Sequence, residues 1–327
     1  MTRCPCCGAR GLRPSERSSG LGAAEFSECG HCGILVDPRL SGTGTGPGTK
    51  DGTLERFLKE RLAPEHFVSR TCDPITVESY ALRTLALGRD LATTPLGDAQ
   101  RDALRHPYRP LPAIARLSPL SLIDRVPVSL VMLCRPSDLE GLARRLPALG
   151  PSFAEIVLVV SASAVPPRPV PGGDVRMLAR PLDGDFAAQR NAGQIAAKSD
   201  WVLQLDADES LDDDTLAHLG RVAALADGTG ALSVGLPRRN LVDGVLADLY
   251  PDVQYRLNRR SVRFEGRVHE RPLLPRGWRD GFIAPNLHIT HHLTRSHVET
   301  RSARYEELSP GKGRTFERDA LLTPYRP

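Results

Sequence analysis

The chain has 327 residues, of which 40% are hydrophobic and 25% charged, with a formal net charge of +4; this suits one large α/β domain plus a small accessory one and is ordinary for a soluble protein. The mild positive balance fits anionic ligands such as nucleotides or phospholipid headgroups and is too weak to argue for nucleic-acid binding. No apolar run approaches the roughly 20 residues of a membrane helix and the start of the chain lacks the apolar core of a signal peptide, so a cytoplasmic protein with at most peripheral membrane contact is expected.

Seven cysteines, an odd number, cluster mostly near the N-terminus and suit a reducing compartment better than a disulfide framework. Cys4-Pro5-Cys6-Cys7-Gly8 and Cys29-Gly30-His31-Cys32-Gly33 are two knuckles joined by a polar, Gly/Ser-rich loop. Four thiolates from Cys4, Cys7, Cys29 and Cys32 have the spacing of a tetrahedral Zn²⁺ site, and the glycines permit the turns that aim backbone amides at sulfur. Cys6 or His31 could replace a ligand, but neither keeps both knuckles regular. A thiol redox pair is the weaker alternative, since no βαβ pattern surrounds either knuckle. A closed four-cysteine site leaves no open position for catalysis, so its expected role is folding or docking. Residues 1–40 resemble the zinc-ribbon heads of some bacterial methyltransferases and sugar-modifying enzymes, including the Ile34-Leu35-Val36-Asp37-Pro38 run; the methyltransferase glycine motif does not follow.

Residues 41–124 read as linker and short helices. Leu40 to Gly52 is rich in Gly and Thr. Helical spacing follows in Leu54, Phe57, Leu58 and Leu62, and again from Tyr80 to Leu91. Pro107 to Pro119 is proline-rich and marks a boundary. His66 and Cys72 are expected to be packing or surface residues.

From about residue 125 to 307 strands alternate with helices, which predicts an α/β fold with a mostly parallel sheet covered on both faces. The strands are Val128 to Cys134, Glu155 to Val160, Val175 to Leu178 and the run from Trp201; the helices are Asp138 to Leu149 and Phe186 to Ala197. The Trp201 strand ends in Asp206-Ala207-Asp208, two carboxylates at the end of the sheet where ligands of open α/β folds bind. That pattern predicts an Asp-x-Asp clamp for a divalent cation and a diphosphate. Helix capping is the blander use of such acids, and Asp212, Asp213 and Asp214 are expected to cap a helix over Leu216 to Leu225. An EF-hand is excluded by Leu211 where its loop needs glycine.

Phe186-Ala187-Ala188-Gln189-Arg190-Asn191-Ala192-Gly193, the Asp200 to Glu209 run, Pro237-Arg238-Arg239-Asn240, Tyr250-Pro251-Asp252 with Gln254 and Arg256, Gly266-Arg267-Val268-His269-Glu270, and Ile289-Thr290-His291-His292 together resemble family 2 glycosyltransferases of the GT-A fold, nearest the lipopolysaccharide-core β-glucosyltransferase group. The resemblance spans about Val128 to Tyr305. It implies a nucleotide-diphosphate sugar donor, a glycan, lipid-linked or natural-product acceptor, and Mg²⁺ or Mn²⁺ stabilising the departing diphosphate. It further implies that Asp208 ligates the metal, that Asp206 reaches the ribose or the metal through water, and that His291, or His292 in a shifted register, stands beside the metal. Arg190 and Asn191 would line the donor pocket, with an Arg190–Asp206 structural pair equally open. Inverting transfer needs a carboxylate base, Glu270 first and Asp252 second, with His269 orienting it or capping a turn.

The family's Asn-Glu after the first strand and its acidic loop after the second are replaced here by Arg135-Pro136-Ser137-Asp138-Leu139-Glu140 and Val160-Ser161-Ala162-Ser163. Asp138 and Glu140 could stand in for the first, and Ser161 or Ser163 with backbone for the second. Otherwise the donor is not a UDP-sugar, or catalysis is lost and the chain is a nucleotide-sugar-binding or scaffolding protein. Residues 308–327 are expected to be a mobile end or a lid over the donor.

Overall fold

The computed structural model describes residues 3–16, 26–36, 53–70, 73, 75–104, 113–166, 175–308 and 315–326. The expected linker Leu40 to Gly52, most of the proline-rich boundary, and Cys72 lie outside the described residues.

A curled, ten-stranded mixed sheet carries the larger part of the chain. Its order runs Val175–Ala179, Glu155–Val160, Val128–Cys134, Trp201–Asp206, Val253–Arg259, Ser233–Val242, Ile289–Leu293, Glu209–Ser210, with Val245–Leu246 and Gly281–Ile283 also paired to Ser233–Val242. The first four strands are parallel, and Val253–Arg259 is antiparallel to both its neighbours. The four parallel strands are those legible as apolar runs, and alternate residues feed opposite faces. Leu130, Met132 and Leu158 pack on one side with Leu142, Leu146, Leu219 and Val222 of the helices Leu139–Leu149 and Asp213–Thr229. Val131, Leu133, Val157 and Val159 pack on the other, beneath the helix Phe186–Ala196. That helix sits so close that a Cβ on Gly193 would lie 2.2 Å from Val131 Cγ1. Asp212 caps its helix as expected, its carboxylate accepting from the Thr215 amide at 2.9 Å.

Curling brings the ends of the sheet together. The chain leaves the central strand at Asp206 and rejoins the sheet at its far edge as Glu209–Ser210, where Glu209 pairs with His291. Only Ala207 and Asp208 bridge that step, so Asp208 must emerge beside His291.

Residues 41–124 contain more than the short helices expected. Helices Thr53–Arg61, Ser79–Leu87 and Asp98–Ala103 accompany a three-stranded antiparallel sheet of Glu65–Val68, Ile114–Pro119 and Leu91–Pro95. Ile114-Ala115-Arg116-Leu117 alternates exposed and buried residues, a period-2 signal hidden among prolines. Nor does packing respect a boundary at residue 40. Leu35–Val36 pairs with Ile75–Thr76, and the cysteines share one core with Phe57, Phe67, Leu82 and Leu85. Ile283 and Val253 of the large sheet join that core, and Tyr80 donates its hydroxyl to the Gly281 carbonyl at 3.0 Å.

The described part of the tail is docked. The helix Thr315–Leu322 buries Leu321 against Val242, Ala247, Leu293 and Val298. Beyond it Tyr325 donates to the Leu246 carbonyl at 2.8 Å, and the Arg326 carbonyl accepts from Arg3 at 3.0 Å. The tail therefore straps the cysteine module to the large sheet. Among the described residues no helix is long and apolar enough to cross a membrane.

Gly193→Ala is expected to cost about 2–3 kcal/mol by overpacking, read as a lower midpoint of urea unfolding.

Candidate functional site

The cysteine cluster matches its expectation closely. Sγ atoms of Cys4, Cys7, Cys29 and Cys32 lie within 4.8 Å of one another and all four residues are buried. Cys4 to Cys32 is 3.6 Å and Cys7 to Cys29 is 3.7 Å, near the roughly 3.8 Å edge of a tetrahedron with Zn–S bonds of about 2.3 Å. The two knuckles repeat one geometry. The Gly8 amide donates to the Cys4 carbonyl at 2.8 Å and the Gly33 amide to Cys29 at 2.9 Å, both glycines in the left-handed region. The Cys6 and His31 amides each reach the first sulfur of their knuckle at 3.4 Å, so these residues supply backbone donors rather than ligands. The donor set fits a structural zinc ion.

At the carboxyl ends of the parallel strands opens a cavity of about 1360 Å³, lined by Arg135, Asp138, Ser161, Ala162, Asp183, Arg190, Asp206, Asp208, Arg238, Asp252, Gln254, Arg256, Glu270 and His291 among others. Most sequence-predicted site residues meet here. The Asp-x-Asp pair diverges, however. Asp206 accepts from Arg190 Nη2 at 2.8 and 3.1 Å and from Arg256 Nη2 at 3.0 Å. Burial alone would raise its pKa, but the charges of Arg190 and Arg256 outweigh burial and hold it far below the usual carboxylate range. Asp206 is thus a partner of two arginines while still lining the cavity, the arrangement of the Arg190–Asp206 structural pair left open by the sequence.

Asp208 points the other way. Its Oδ2 lies 3.4 Å from His291 Nε2. The opposite ring nitrogen, Nδ1, is 2.9 Å from Asn240 Oδ1. Asn240 spends its amide N–H groups on the Leu249 carbonyl at 3.1 Å and Asp252 Oδ2 at 3.0 Å, so its oxygen is the atom facing His291 and Nδ1 carries the proton. Nε2 is then the ring nitrogen that faces the carboxylate oxygen. Two electron-pair donors facing one another at this distance repel unless a proton or a cation lies between them. The spacing is close to the roughly 3 Å between neighbouring ligands of an octahedral ion with bonds of about 2.1 Å, so the pair fits a divalent cation. His292 faces away, its Nε2 2.8 Å from Ser210 Oγ.

Behind this rim lies a lattice of charges. Arg190 Nε donates to Glu270 Oε1 at 2.5 Å. Arg238 donates to Asp252 Oδ2 at 2.9 and 2.6 Å and to Glu209 Oε1 at 3.0 Å. Glu209, fully buried, also accepts from the Asp206 amide at 3.0 Å. Arg145 pins the intervening turn through the carbonyls of Ala207, at 2.8 Å, and Glu209. Asp252 additionally accepts from Gln254 at 2.7 Å. Burial opposes its charge, but Arg238 and the bonds from Asn240, Arg238 and Gln254 set its pKa at about 2. With both oxygens hydrogen-bonded and so low an affinity for protons, Asp252 is less suited to act as a base than Glu270. Glu270 keeps one oxygen, Oε2, without a hydrogen bond among the described residues.

Asn191 does not line the cavity. Its side chain exchanges two hydrogen bonds with the Phe264 backbone, at 2.9 and 2.7 Å, and staples its helix to the Arg263–Glu265 strand. Ser161 lines the cavity, its amide bonded to the Cys134 carbonyl at 2.8 Å. Glu140 pairs with Arg144 at 2.9 Å and does not reach the cavity, so it replaces no family acid. The sequence reading gave no roles to Glu209, Arg238, Asn240 and Arg256. Their signal was polar residues at alternate positions, Arg238 with Asn240 and Gln254 with Arg256, which one strand face presents together.

Two outcomes are expected. Asp252, Asp206 and Asp208 have depressed folded pKa values, so their stabilisation is complete above the unfolded value near 3.8 and is lost as pH falls through the folded one. Asp252 alone accounts for about 2 kcal/mol, and Asp252→Asn should flatten the fall in stability between pH 5 and 2 in urea titrations. Secondly, elemental analysis should find about one zinc per chain in the wild type and none in Cys29→Ser, with a lower thermal midpoint for the variant.

No family model matches the chain, and no curated protein sequence matches it.

Proposed function

We propose that the protein is an inverting, metal-dependent glycosyltransferase that moves a sugar from a nucleotide-diphosphate donor to a glycan, lipid-linked or natural-product acceptor, on a GT-A-like framework. The observation that carries this reading is the facing pair Asp208 and His291 at the mouth of a cavity at the carboxyl ends of parallel strands. A bound Mn²⁺ or Mg²⁺ would supply Lewis-acid stabilisation of the departing diphosphate. Asp208 and His291 are the residues to hold it, and a nitrogen ligand favours Mn²⁺ over Mg²⁺.

The rest of the chemistry belongs to the chain. Arg190 holds Glu270 by one oxygen and leaves the other toward the cavity, where it is positioned to take the acceptor's proton. Arg190, Arg238 and Arg256 are each paired with carboxylates, so the charge that would favour a departing diphosphate is that of the bound cation. Neither Asp206 nor Asp252 takes part directly.

A second reading, a non-catalytic nucleotide-sugar-binding or scaffolding protein, draws on the ion pairing that occupies Asp206 and Asp252 and part of Glu270. The two readings separate in one experiment. Nucleotide-diphosphate sugars with Mn²⁺ are expected to raise the thermal midpoint of the wild type and to be hydrolysed slowly. Asp208→Ala should lose both effects, and Glu270→Gln should keep binding while losing at least about a hundredfold in turnover. Release of nucleotide that Asp208→Ala leaves unchanged sinks the metal mechanism; stabilisation without turnover favours the binding protein.

A further inference from the structure

We propose that Arg135 is a diphosphate-binding residue of this cavity and that Asp138 holds it in its working orientation. The inference rests on the donor site described above and extends it to the position where a basic residue replaces the family's Asn-Glu.

Backbone register fixes where Arg135 stands. Val128–Cys134 runs parallel to Trp201–Asp206 with Leu133 opposite Asp206, and the Ala207 amide donates to the Leu133 carbonyl at 3.1 Å. Two residues beyond that pair on the two strands, Arg135 and Asp208 therefore leave the sheet side by side, and both line the cavity. A diphosphate chelating a cation held by Asp208 and His291 would lie within reach of Arg135.

The Arg135 side chain is 76% exposed, so it does little for the fold. It is nonetheless held. Nε donates to Asp138 Oδ2 at 3.2 Å and Nη2 to Oδ1 at 3.0 Å. Asp138 is itself anchored, because its Oδ2 accepts from the Arg135 amide at 2.8 Å while its own amide donates to the Arg135 carbonyl at 3.0 Å. An exposed arginine ordinarily samples many rotamers, and ordering it on a ligand costs entropy. Here that ordering is already present before a ligand arrives.

A guanidinium has five N–H groups in a fixed plane. Asp138 takes one from Nε and one from Nη2, along one edge. One N–H of Nη1, which has no partner among the described residues, and the remaining one of Nη2 form the second edge, a fork that matches two phosphate oxygens. Because Asp138 neutralises the pair, Arg135 adds direction more than field. It therefore selects phosphate geometry, while attraction is left to the cation.

The test uses full-length protein, with manganese pyrophosphate as the probe in calorimetry and a thermal midpoint for each variant. Arg135→Gln is expected to weaken pyrophosphate binding roughly ten- to a hundredfold with an unchanged midpoint. Arg135→Lys should recover only part of the loss, since an ammonium cannot form the fork, and Asp138→Asn should fall between wild type and Arg135→Gln. Equal affinity in wild type and Arg135→Gln overturns the assignment, as does a fall in midpoint that accounts for the lost binding. The two readings also fail separately. If nucleotide sugars stabilise wild type and Arg135→Gln equally, Arg135 is not a donor residue and the transferase reading stands. If they stabilise neither while pyrophosphate binding still depends on Arg135, the anion site stands without the transferase.

Discussion

The site depends on one constraint: three largely buried arginines, Arg190, Arg238 and Arg256, share four carboxylates, Asp206, Glu209, Asp252 and Glu270, along the cavity wall. Charges removed from water persist only when each meets partners of opposite sign with hydrogen-bond geometry. These do, because they arrive from four strands, one helix and the connections carrying Asp252 and Glu270, whose relative placement is set by apolar packing elsewhere. Most members have more than one partner, so the lattice holds as a unit: Asp206 meets both Arg190 and Arg256, and Glu209 both Arg238 and Arg256. The lattice has one carboxylate more than it has guanidiniums, and Asp208 adds a further negative charge at its edge. The proposed cation beside Asp208 and His291 would add positive charge at that edge, where Arg135 and Arg145 already act on Asp208.

The back of the same wall is held by the N-terminal module. Along Val253–Arg259, Gln254 and Arg256 face the cavity, while Val253 packs into the core that contains the cysteines. Just before that strand, Arg3 donates to the Tyr250 carbonyl at 2.7 Å and pairs with Asp248 at 3.2 Å, which Arg10 also reaches at 2.9 Å. Tyr325 packs edge-on against Tyr250 with centroids 5.4 Å apart. A four-cysteine centre is a small rigid body that needs no large apolar core of its own. Placed behind a strand that presents polar side chains forward, it supplies the support that an alternating apolar face alone would give weakly. The role expected of the cysteines, folding or docking, thus acquires a location: they brace the strand that carries Arg256 and follows Asp252.

Legibility in the sequence followed the same division. Val128–Cys134, Glu155–Val160 and Trp201–Asp206 are buried on both faces, so their apolar runs declared them. Ser233–Val242 and Val253–Arg259 went unread as strands because one face of each carries Arg238, Asn240, Gln254, Arg256 and Asn258, a pattern that looks like loop until the partners are known. The cysteine spacing was legible because metal geometry is local. The fate of Asp206 was not, since Arg256 lies fifty residues further on and nothing local distinguishes a carboxylate that meets a guanidinium from one that meets a metal. Asp208 differs from Asp206 only by falling in the two-residue step that the curled sheet closes.

That division bears on the nucleoside end of the cavity, where the resemblance to family 2 transferases is weakest. A carboxylate recognises a base through the ring N–H it can accept from, and Glu140, the nearest spare acid by sequence, is turned to Arg144 outside the cavity. Asp138 is inside but is bound to Arg135 through both oxygens. What the cavity offers instead at the end of its first strand is an ordered guanidinium on the wall that also carries Asp208. A site so built discriminates among phosphates more sharply than among bases. On the transferase reading, donor selection would then shift from the nucleobase toward the diphosphate and the sugar, and the substitution of acid by arginine becomes a change of what is recognised rather than a loss of the site.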